Sequence, residues 1–596
     1  MIYSTLLIGT FVLYLVWTGA SWTRQIRRAT ATSLQWTIFP YAELNTFWLT
    51  LCSFDSVLHI INHWLPAWLA DIVNDNVMTH HFWVKDRRTK QLGKLYMVAT
   101  PANICCHVAD AAVISQICSS RSGFPKPLEI YGSMMLYGPN VVATEGKEWT
   151  RHRRHTIAAF GEKTIMTVWQ ETVRQTTQML DHWSEKHTVG ISLELSPKED
   201  ILKLTLNVLC AAGFGVQLPF QATPKADDSS VSTMFSDTVQ PLPGFQFTLR
   251  AVMEYMMGHW NSIFMANTML PTWLPRALVP FFKDDFAAHN DLGKYMNAMI
   301  AQANQDIPKE GLSARGQNVL QGLVRAQHLT DEDESKRSSL SEIEVLGNTH
   351  VMMLAHESTG ATIRFALVLL ALHQDIQEWM YQAICDAVKE ISTNPNEWDY
   401  TTVYPKLVAP LCVMLETMRM YPPAPVILRT ASQDAEPLQH EGGTVVLPPG
   451  SHVCFNITSL HYTTEYWGPE ASRFDPSRWD RKNRNSFLAQ NEDQPGNVAA
   501  GLEYPTIHKP IRGSYIPFSD GLRACLGKKF AQVEFVAFLA VIFSRYKVDF
   551  ASAPGQKGKA QERAKKALEE SVCAALALDM MLDVPLSFTP RDEVEV

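Results

Sequence analysis

The chain opens on an apolar run. From Ile2 to Trp22 no charged residue interrupts it, and Leu6–Val16 is strongly apolar. A bilayer-spanning helix needs about 20 such residues, so residues 1–23 are expected to form one N-terminal transmembrane helix. Arg24, Arg27 and Arg28 follow, with no basic residue before the run. Positive charge stays on the cytosolic side, which predicts a cytosolic remainder. A cleaved signal peptide carries its basic residues ahead of a shorter apolar core, the opposite order. Residues 34–70 are rich in Trp, Leu, Phe and Ile, but Glu43, Asp55, His59 and His63 break them up. That pattern suits a helix lying in the membrane interface or one covering the following domain; the pattern does not separate the two.

From Gln91 the pattern becomes globular. Tyr96–Pro101 reads as a short strand stopped by proline. Helical periodicity marks 161–186, 199–213, 341–372 and 373–391. Strand-like text returns at 425–430, 444–447 and 452–456, bounded by Gly442-Gly443 and Pro448-Pro449-Gly450. The sum is a mainly α chain with a minor β part, an α+β reading. Residues 482–512 and 552–571 are polar and read as solvated or mobile surface insertions. No internal repeat divides the 596 residues, so the chain divides into an anchor (1–23), a partly hydrophobic or interfacial connector (24–90) and one catalytic unit (91–596).

Composition narrows the classes. A net charge of −8, from 52 basic and 60 acidic residues, argues against a nucleic-acid footprint. The ten cysteines lack paired spacing, and adjacent Cys105 and Cys106 make no zinc pattern, so they read as reduced thiols facing the cytosol. The sequon Asn456-Ile-Thr458 is expected to stay unmodified under this topology.

The chemistry concentrates in a few stretches. Phe518-Ser-Asp-Gly521-Leu-Arg523-Ala-Cys525-Leu-Gly527 sets one cysteine between glycines, ahead of an apolar helical pattern. Glu416 and Arg419 stand at i and i+3 on one helix face, before Tyr421-Pro422-Pro423. Downstream lies Arg473-Phe-Asp-Pro476-Ser-Arg478-Trp479. Trp149 and Arg153, at i and i+4, share a face in a basic segment, where a solvated surface is the plainer reading. Leu354-Ala-His-Glu357-Ser358-Thr359 places an acid beside two hydroxyls inside an apolar helix, the parts of a proton relay.

Together and in this order, these stretches resemble the cytochrome P450 family from about Gln91 to the C-terminus. The resemblance implies the P450 fold and a haem b whose axial ligand is the thiolate of Cys525. Such a ligand favours O–O cleavage. It makes Phe518, Gly521 and Gly527 parts of the cysteine loop, and Trp149, Arg153, Arg429 and Arg523 holders of the haem propionates. Glu416, Arg419 and Arg478 become a buried structural network. Glu357, Ser358 and Thr359 become the oxygen-activating relay, with Ser358 replacing the family's threonine and Leu354-Ala355 its small-residue pair. Thr359 takes over as the working hydroxyl if the register slips by one.

The implied reaction puts one atom of O2 into an apolar small molecule. Electrons come from NADPH through a separate cytochrome P450 reductase, which is expected to dock near Lys528 and Lys529. The anchor suits the endoplasmic reticulum membrane, in contact with lipid. His356 in its Ala-His-Glu setting suggests a fungal member acting in secondary metabolism on a terpenoid or polyketide. Its pocket is expected from 118–140, 240–275, the Leu354 turn, 423–428 and 574–584. Two rivals stand beside this: a reductase-independent haem-thiolate isomerase or dehydratase, and a non-catalytic haem-binding membrane protein. Retained Glu357 and Ser358 favour the monooxygenase.

Overall fold

The computed structural model describes residues 2–39, 81–186, 193–221, 240–310 except 272, 318–328, 339–481, and 506–591 except 553, 554 and 575, with short stretches between 60 and 74. The longer helices are α1 (Ile2–Thr30), α2 (Ala111–Ser119), α3 (Gly146–Ala159), α4 (Glu162–Lys186), α5 (Lys198–Phe214), α6 (Leu249–Gly258), α7 (Lys283–Glu310), α8 (Val319–Gln327), α9 (Glu342–Leu354), α10 (His356–Leu372), α11 (Gln374–Val388), α12 (Val408–Met420), α13 (Lys528–Arg545) and α14 (Lys557–Glu569). The fold is mainly helical with a smaller β part.

Five strands make one mixed sheet in the order β1 (Gln35–Ile38), β2 (Leu95–Ala99), β3 (Ile104–Val108), β8 (His452–Asn456) and β5 (Val426–Thr430). β2 and β3 run antiparallel with Met97 opposite Cys106, and β3 pairs parallel with β8, Cys106 opposite Val453. β5 closes the sheet antiparallel to β8 and delivers Arg429 opposite Val453. A three-stranded sheet joins β4 (Leu193–Leu195), β12 (Leu586–Pro590) and β9 (Tyr546–Phe550), and two hairpins, β6 (Leu438–His440) with β7 (Gly443–Val445) and β10 (Val572–Ala574) with β11 (Leu578–Met580), complete the β part.

Two helices form the central axis. α13 is buried at every position from Gln532 to Phe543, and α10 from Thr359 to Ala371, the all-round apolar pattern of helices enclosed by others. α13 packs on α4, α11 and α12, while α10 packs on α5 and α12. α5 ends at Gly215 in the left-handed region (φ 75°), where the N–H of Val216 reaches back to Cys210 O at 2.9 Å, a glycine-dependent stop.

Some expectations need correction. The stretch 341–372 is two helices, not one, broken at Ala355. Residues 557–569 are not a loose insertion but the helix α14, whose Ala564, Ala567 and Leu568 are buried; three apolar positions at i, i+3 and i+4 suffice to seat it. Residues 482–505 lie outside the described residues. The remainder of that stretch is not solvated either: Ile507 bridges Asp480, and Ile507 and His508 are buried.

α1 continues past the apolar run to Thr30. Among the described residues no helix is long and apolar enough to cross a membrane. The side chains of residues 1–15, on which most of the expected span falls, lie outside those described. Asn456 of the sequon is buried, its side chain accepting from Ser459 N–H at 2.9 Å.

Candidate active site

The cysteine loop is built by backbone geometry. Cys525 N–H donates to Phe518 O at 2.8 Å, closing the loop on itself. Gly521 has φ +66°, and a Cβ there would sit 2.2 Å from the Cys118 carbonyl of α2. Only glycine satisfies both demands. Asp520 Oδ1 accepts the Gly521 N–H at 2.7 Å. The Gly527 N–H points at the Cys525 sulfur, the kind of bond that tunes a sulfur ligand.

Cys525 lies deep in the molecule, yet its side chain is accessible. The surface it shows is the wall of an internal cavity of about 460 Å³. Burial pushes its thiol up, partly offset by the Gly527 N–H, Lys528 and Arg153. The same cavity is lined by Ala355, Ser358 and Thr359, at the break between α9 and α10. The break has a local cause. Ala355 N–H bonds Met352 O at 3.1 Å, His356 Nδ1 sits 2.6 Å from Met353 O, and Ser358 Oγ donates to Ala355 O at 3.0 Å. Side chains thus take up carbonyls from the helical ladder, which bends helices. Burial lowers His356 to about 4, so its ring is neutral near pH 7.

One edge of the cavity is cationic. Arg153, Arg429, Arg523 and Lys126 all line it, together with Trp149. Arg153 Nη1 donates to Ala524 O at 3.3 Å, and Arg429 Nη1 to Leu428 O at 2.8 Å. Both Arg153 and Arg523 stand over the Trp149 ring, 5.7 and 5.1 Å from its centre. Arg523 is also forked onto Glu145 at 2.8 and 2.7 Å. Burial alone would raise Glu145, but Arg523 and the Lys126 N–H outweigh it and hold the carboxyl low. Lys126 Nζ donates to Val141 O and Val142 O at 3.1 and 2.7 Å. Burial, with Arg429 and Arg523 adding to it against the pull of Glu145, brings Lys126 down to about 7.

Nine of the expected residues therefore meet at one cavity: Trp149, Arg153, Ser358, Thr359, Arg429, Phe518, Arg523, Cys525 and Gly527. Gly521 shapes the loop without reaching it. Glu357 does not line it. Its Oε2 is buried with no hydrogen-bond partner among the described residues. Burial, reinforced by Asp579 and opposed by Lys198 and Arg364, pushes its carboxyl up to about 7. Arg364 is bonded to Asp579 and, at 3.1 Å, to Met580 O, which latches the β10–β11 hairpin onto α10. That hairpin puts Leu576 and Ala577 into the cavity. The wall also includes Leu209 and Phe214 of α5. Of the expected pocket segments, 240–275 supplies no lining residue among the described residues.

Glu416, Arg419 and Arg478 lie elsewhere, fully buried together. Arg419 forks onto Glu416 at 2.8 and 2.9 Å, Trp479 Nε1 donates to Glu416 Oε2 at 2.9 Å, and Arg478 Nε reaches Oε1 at 3.4 Å. Arg419 Nη1 also donates to His461 O and Ala471 O, each at 2.7 Å. Every donor is directed, so the network braces the segment after β8 against α12. Burial would raise the Glu416 carboxyl, but the two arginines hold it low.

Sequence reasoning missed Lys126, Glu145 and Glu534. Lys126 sits between Pro125 and Pro127, and Glu145 ends a loop; neither falls in a periodic pattern. Glu534, a buried acid in the otherwise apolar α13, was the one detectable signal.

The donor set fits a haem. A thiol faces an apolar-walled cavity, and four cations offset by one internal carboxylate stand ready for two propionates, which arginine forks suit. Comparison with known proteins agrees. The cytochrome P450 family model matches residues 70–569. A cytochrome P450 monooxygenase of Penicillium roqueforti is 28% identical over 626 residues, covering 99% of each chain. A phomenoic acid biosynthesis cluster cytochrome P450 monooxygenase of Leptosphaeria maculans is 22% identical, covering 94% of this chain and 95% of its own. The crystal structure of a mutant cytochrome P450DA heme domain superposes with a TM-score of 0.60 at 17% identity, covering 87% of this chain and 94% of its own. The chain belongs to the cytochrome P450 family: it is a haem-thiolate oxidoreductase of the monooxygenase class, similar to fungal members.

Proposed function

We propose that this protein is a membrane-anchored, reductase-dependent monooxygenase acting on an apolar small molecule in fungal secondary metabolism. Supporting this above all is that the Cys525 thiol and the Ser358 hydroxyl line the same cavity of about 460 Å³. Haem, when bound, supplies oxygen activation, which a thiolate ligand promotes. Cys525 would be that ligand, and Phe518 would keep its sulfur dry. Arg153, Arg429, Arg523 and Lys126, with Trp149, would hold the propionates. Ser358 would present its hydroxyl to the reaction space. Glu357, set behind the helix, would pass protons inward from the side of Asp579 and Lys198. The apolar walls, among them Leu209, Phe214 and Leu576, suit a terpenoid or polyketide carbon skeleton. A relative named for a biosynthetic cluster supports secondary metabolism.

Residues 1–23 would span the endoplasmic reticulum membrane once, with 24–90 as connector and 91–596 as a cytosolic catalytic domain. Lys528 and Lys529 would meet an NADPH-dependent flavoprotein reductase. Purified protein should consume O2 in an NADPH-dependent way when that reductase and a substrate are added. Turnover with a hydroperoxide alone, without O2 uptake, would establish the isomerase or dehydratase instead; haem binding without any turnover would establish the non-catalytic reading. Cys525→Ala should abolish the sulfur-ligated carbonyl spectrum in folded protein.

A further inference from the structure

Arg523 has most of its guanidinium committed. Nε and Nη2 donate to the Glu145 carboxylate at 2.8 and 2.7 Å, and Nη2 also reaches Arg121 O at 3.5 Å. Nη1 is left without a hydrogen bond among the described residues, in a side chain that lines the cavity. Glu145 is fixed in turn. Its Oε1 accepts the Lys126 backbone N–H at 3.1 Å and its Oε2 the Gly146 N–H at 3.3 Å, where α3 begins. One carboxylate therefore joins three pieces that bring cations to the cavity: the cysteine loop with Arg523, the segment with Lys126, and the helix with Trp149 and Arg153. Its side chain and that of Arg523 are 13% and 9% exposed, so bulk salt screens the pair little.

We propose that Glu145 is a positioning residue: it holds Arg523 in place for a propionate, and its fixed negative charge keeps the reduction potential of bound haem low. The inference rests on the haem-thiolate reading above. An arginine whose fork is already set loses little freedom on meeting a second carboxylate. Reduction adds an electron to the haem, and a nearby negative charge opposes that gain. Without the carboxylate, Arg523 would also act as an uncompensated cation, which favours the electron further. Lys126 works the other way, because Glu145 helps it keep its proton. The measurement is therefore made at pH 6, below the value of about 7 at which Lys126 titrates.

Spectroelectrochemical titration of the full-chain holoprotein tests this without knowledge of the substrate. Glu145→Gln keeps the shape and one acceptor for Arg523 but loses the charge, and should raise the midpoint potential. Glu145→Asp keeps the charge and should leave the midpoint at the wild-type value. Haem should nevertheless pass faster from it to apomyoglobin, because the shorter side chain no longer sets the fork. An unchanged midpoint in Glu145→Gln overturns the proposal. So does an equal rise in Glu145→Asp, which would leave Glu145 a structural role alone. Should Glu145→Gln not take up haem, Glu145→Asp decides: a wild-type midpoint with faster haem loss supports the proposal, and a raised midpoint refutes it. Wild-type protein whose ferrous carbonyl adduct lacks the sulfur-ligated band would refute the haem-thiolate reading itself, and this inference with it. With that band present, the midpoints bear on Glu145 alone.

Discussion

At the residue scale, Glu357 carries the sharpest consequence. Its carboxyl ordinarily titrates near 4.5 and here is pushed to about 7 by burial and Asp579. A proton held to about pH 7 makes it a usable donor at neutrality. Monooxygenase turnover should therefore fall as pH rises through about 7. Glu357→Gln should flatten that limb and lower the rate by roughly 10²–10⁴, checked by the pH profile of product formation. Stability runs the same way. The folded chain keeps a proton that the unfolded chain releases above about 4.5, so this residue's contribution is full below that pH and is lost as pH rises through 7. The network at Glu416 behaves differently, because its acid is charged and paired. Arg419→Ala strands a buried carboxylate and should cost roughly 3–5 kcal/mol, measured by denaturant unfolding. Cys525 and the arginines were legible because their chemistry needs fixed spacing. Lys126, which lines the cavity, and Glu145, which holds Arg523 beside it, were not, because both come from loops whose path no periodicity encodes.

At the scale of elements, the break in the long central helix matters most. Periodicity continues straight through 341–372, since both halves bury apolar faces against the same core. Only the side chains of His356 and Ser358, competing for carbonyls, betray the break, and that is a local signal. Upstream, α9 is pressed against the segment leading to Val141 and Val142. A Cβ on Gly347 would lie 2.5 Å from the carbonyls of Gly138 and Pro139, and one on Gly138 would lie 2.4 Å from Ile343 O. Asn348 ties the same contact, accepting from Val141 N–H at 3.0 Å and donating to His152 Nδ1 at 2.7 Å. Backbone on backbone cannot give way as a side chain can. Gly347→Ala should therefore cost about 1–3 kcal/mol and displace a wall of the cavity; loss of thermal stability together with weaker haem retention would be the signature. The helix α14 was read as a loose insertion because its exposed face is dense in Lys, Glu and Gln, while only Ala564, Ala567 and Leu568 seat it.

At the scale of the whole molecule, the question is where the catalytic unit begins. Sequence pattern places the change at Gln91, but the fold reaches back further. The last turns of α1 are fastened to the domain: Gln25 Nε2 donates to Ala102 O at 3.1 Å and Arg28 Nη2 to Pro449 O at 2.8 Å, with Ala29 buried. β1 then pairs in parallel with β2, Trp36 opposite Met97, and Phe39 is buried in a satellite cluster with Tyr96, Val98 and Leu428. That cluster supports β5, the strand bearing Arg429. A strand of four residues is too short to announce itself by alternation, and its partner lies some sixty positions downstream, so this part of the fold was not legible. Two truncations separate the proposed anchor from the fold. A chain starting at residue 24 keeps Gln25, Arg28, β1 and Phe39; it should fold, take up haem like the full chain and lose only membrane association. A chain starting at residue 40 leaves the β2 edge unpaired, a template for aggregation, and opens the cluster beside β5, where loss of a buried Phe alone costs about 3–5 kcal/mol. It should melt lower, bind haem poorly and aggregate. Equal stability of the two truncated chains would show that the connector contributes nothing to the catalytic unit.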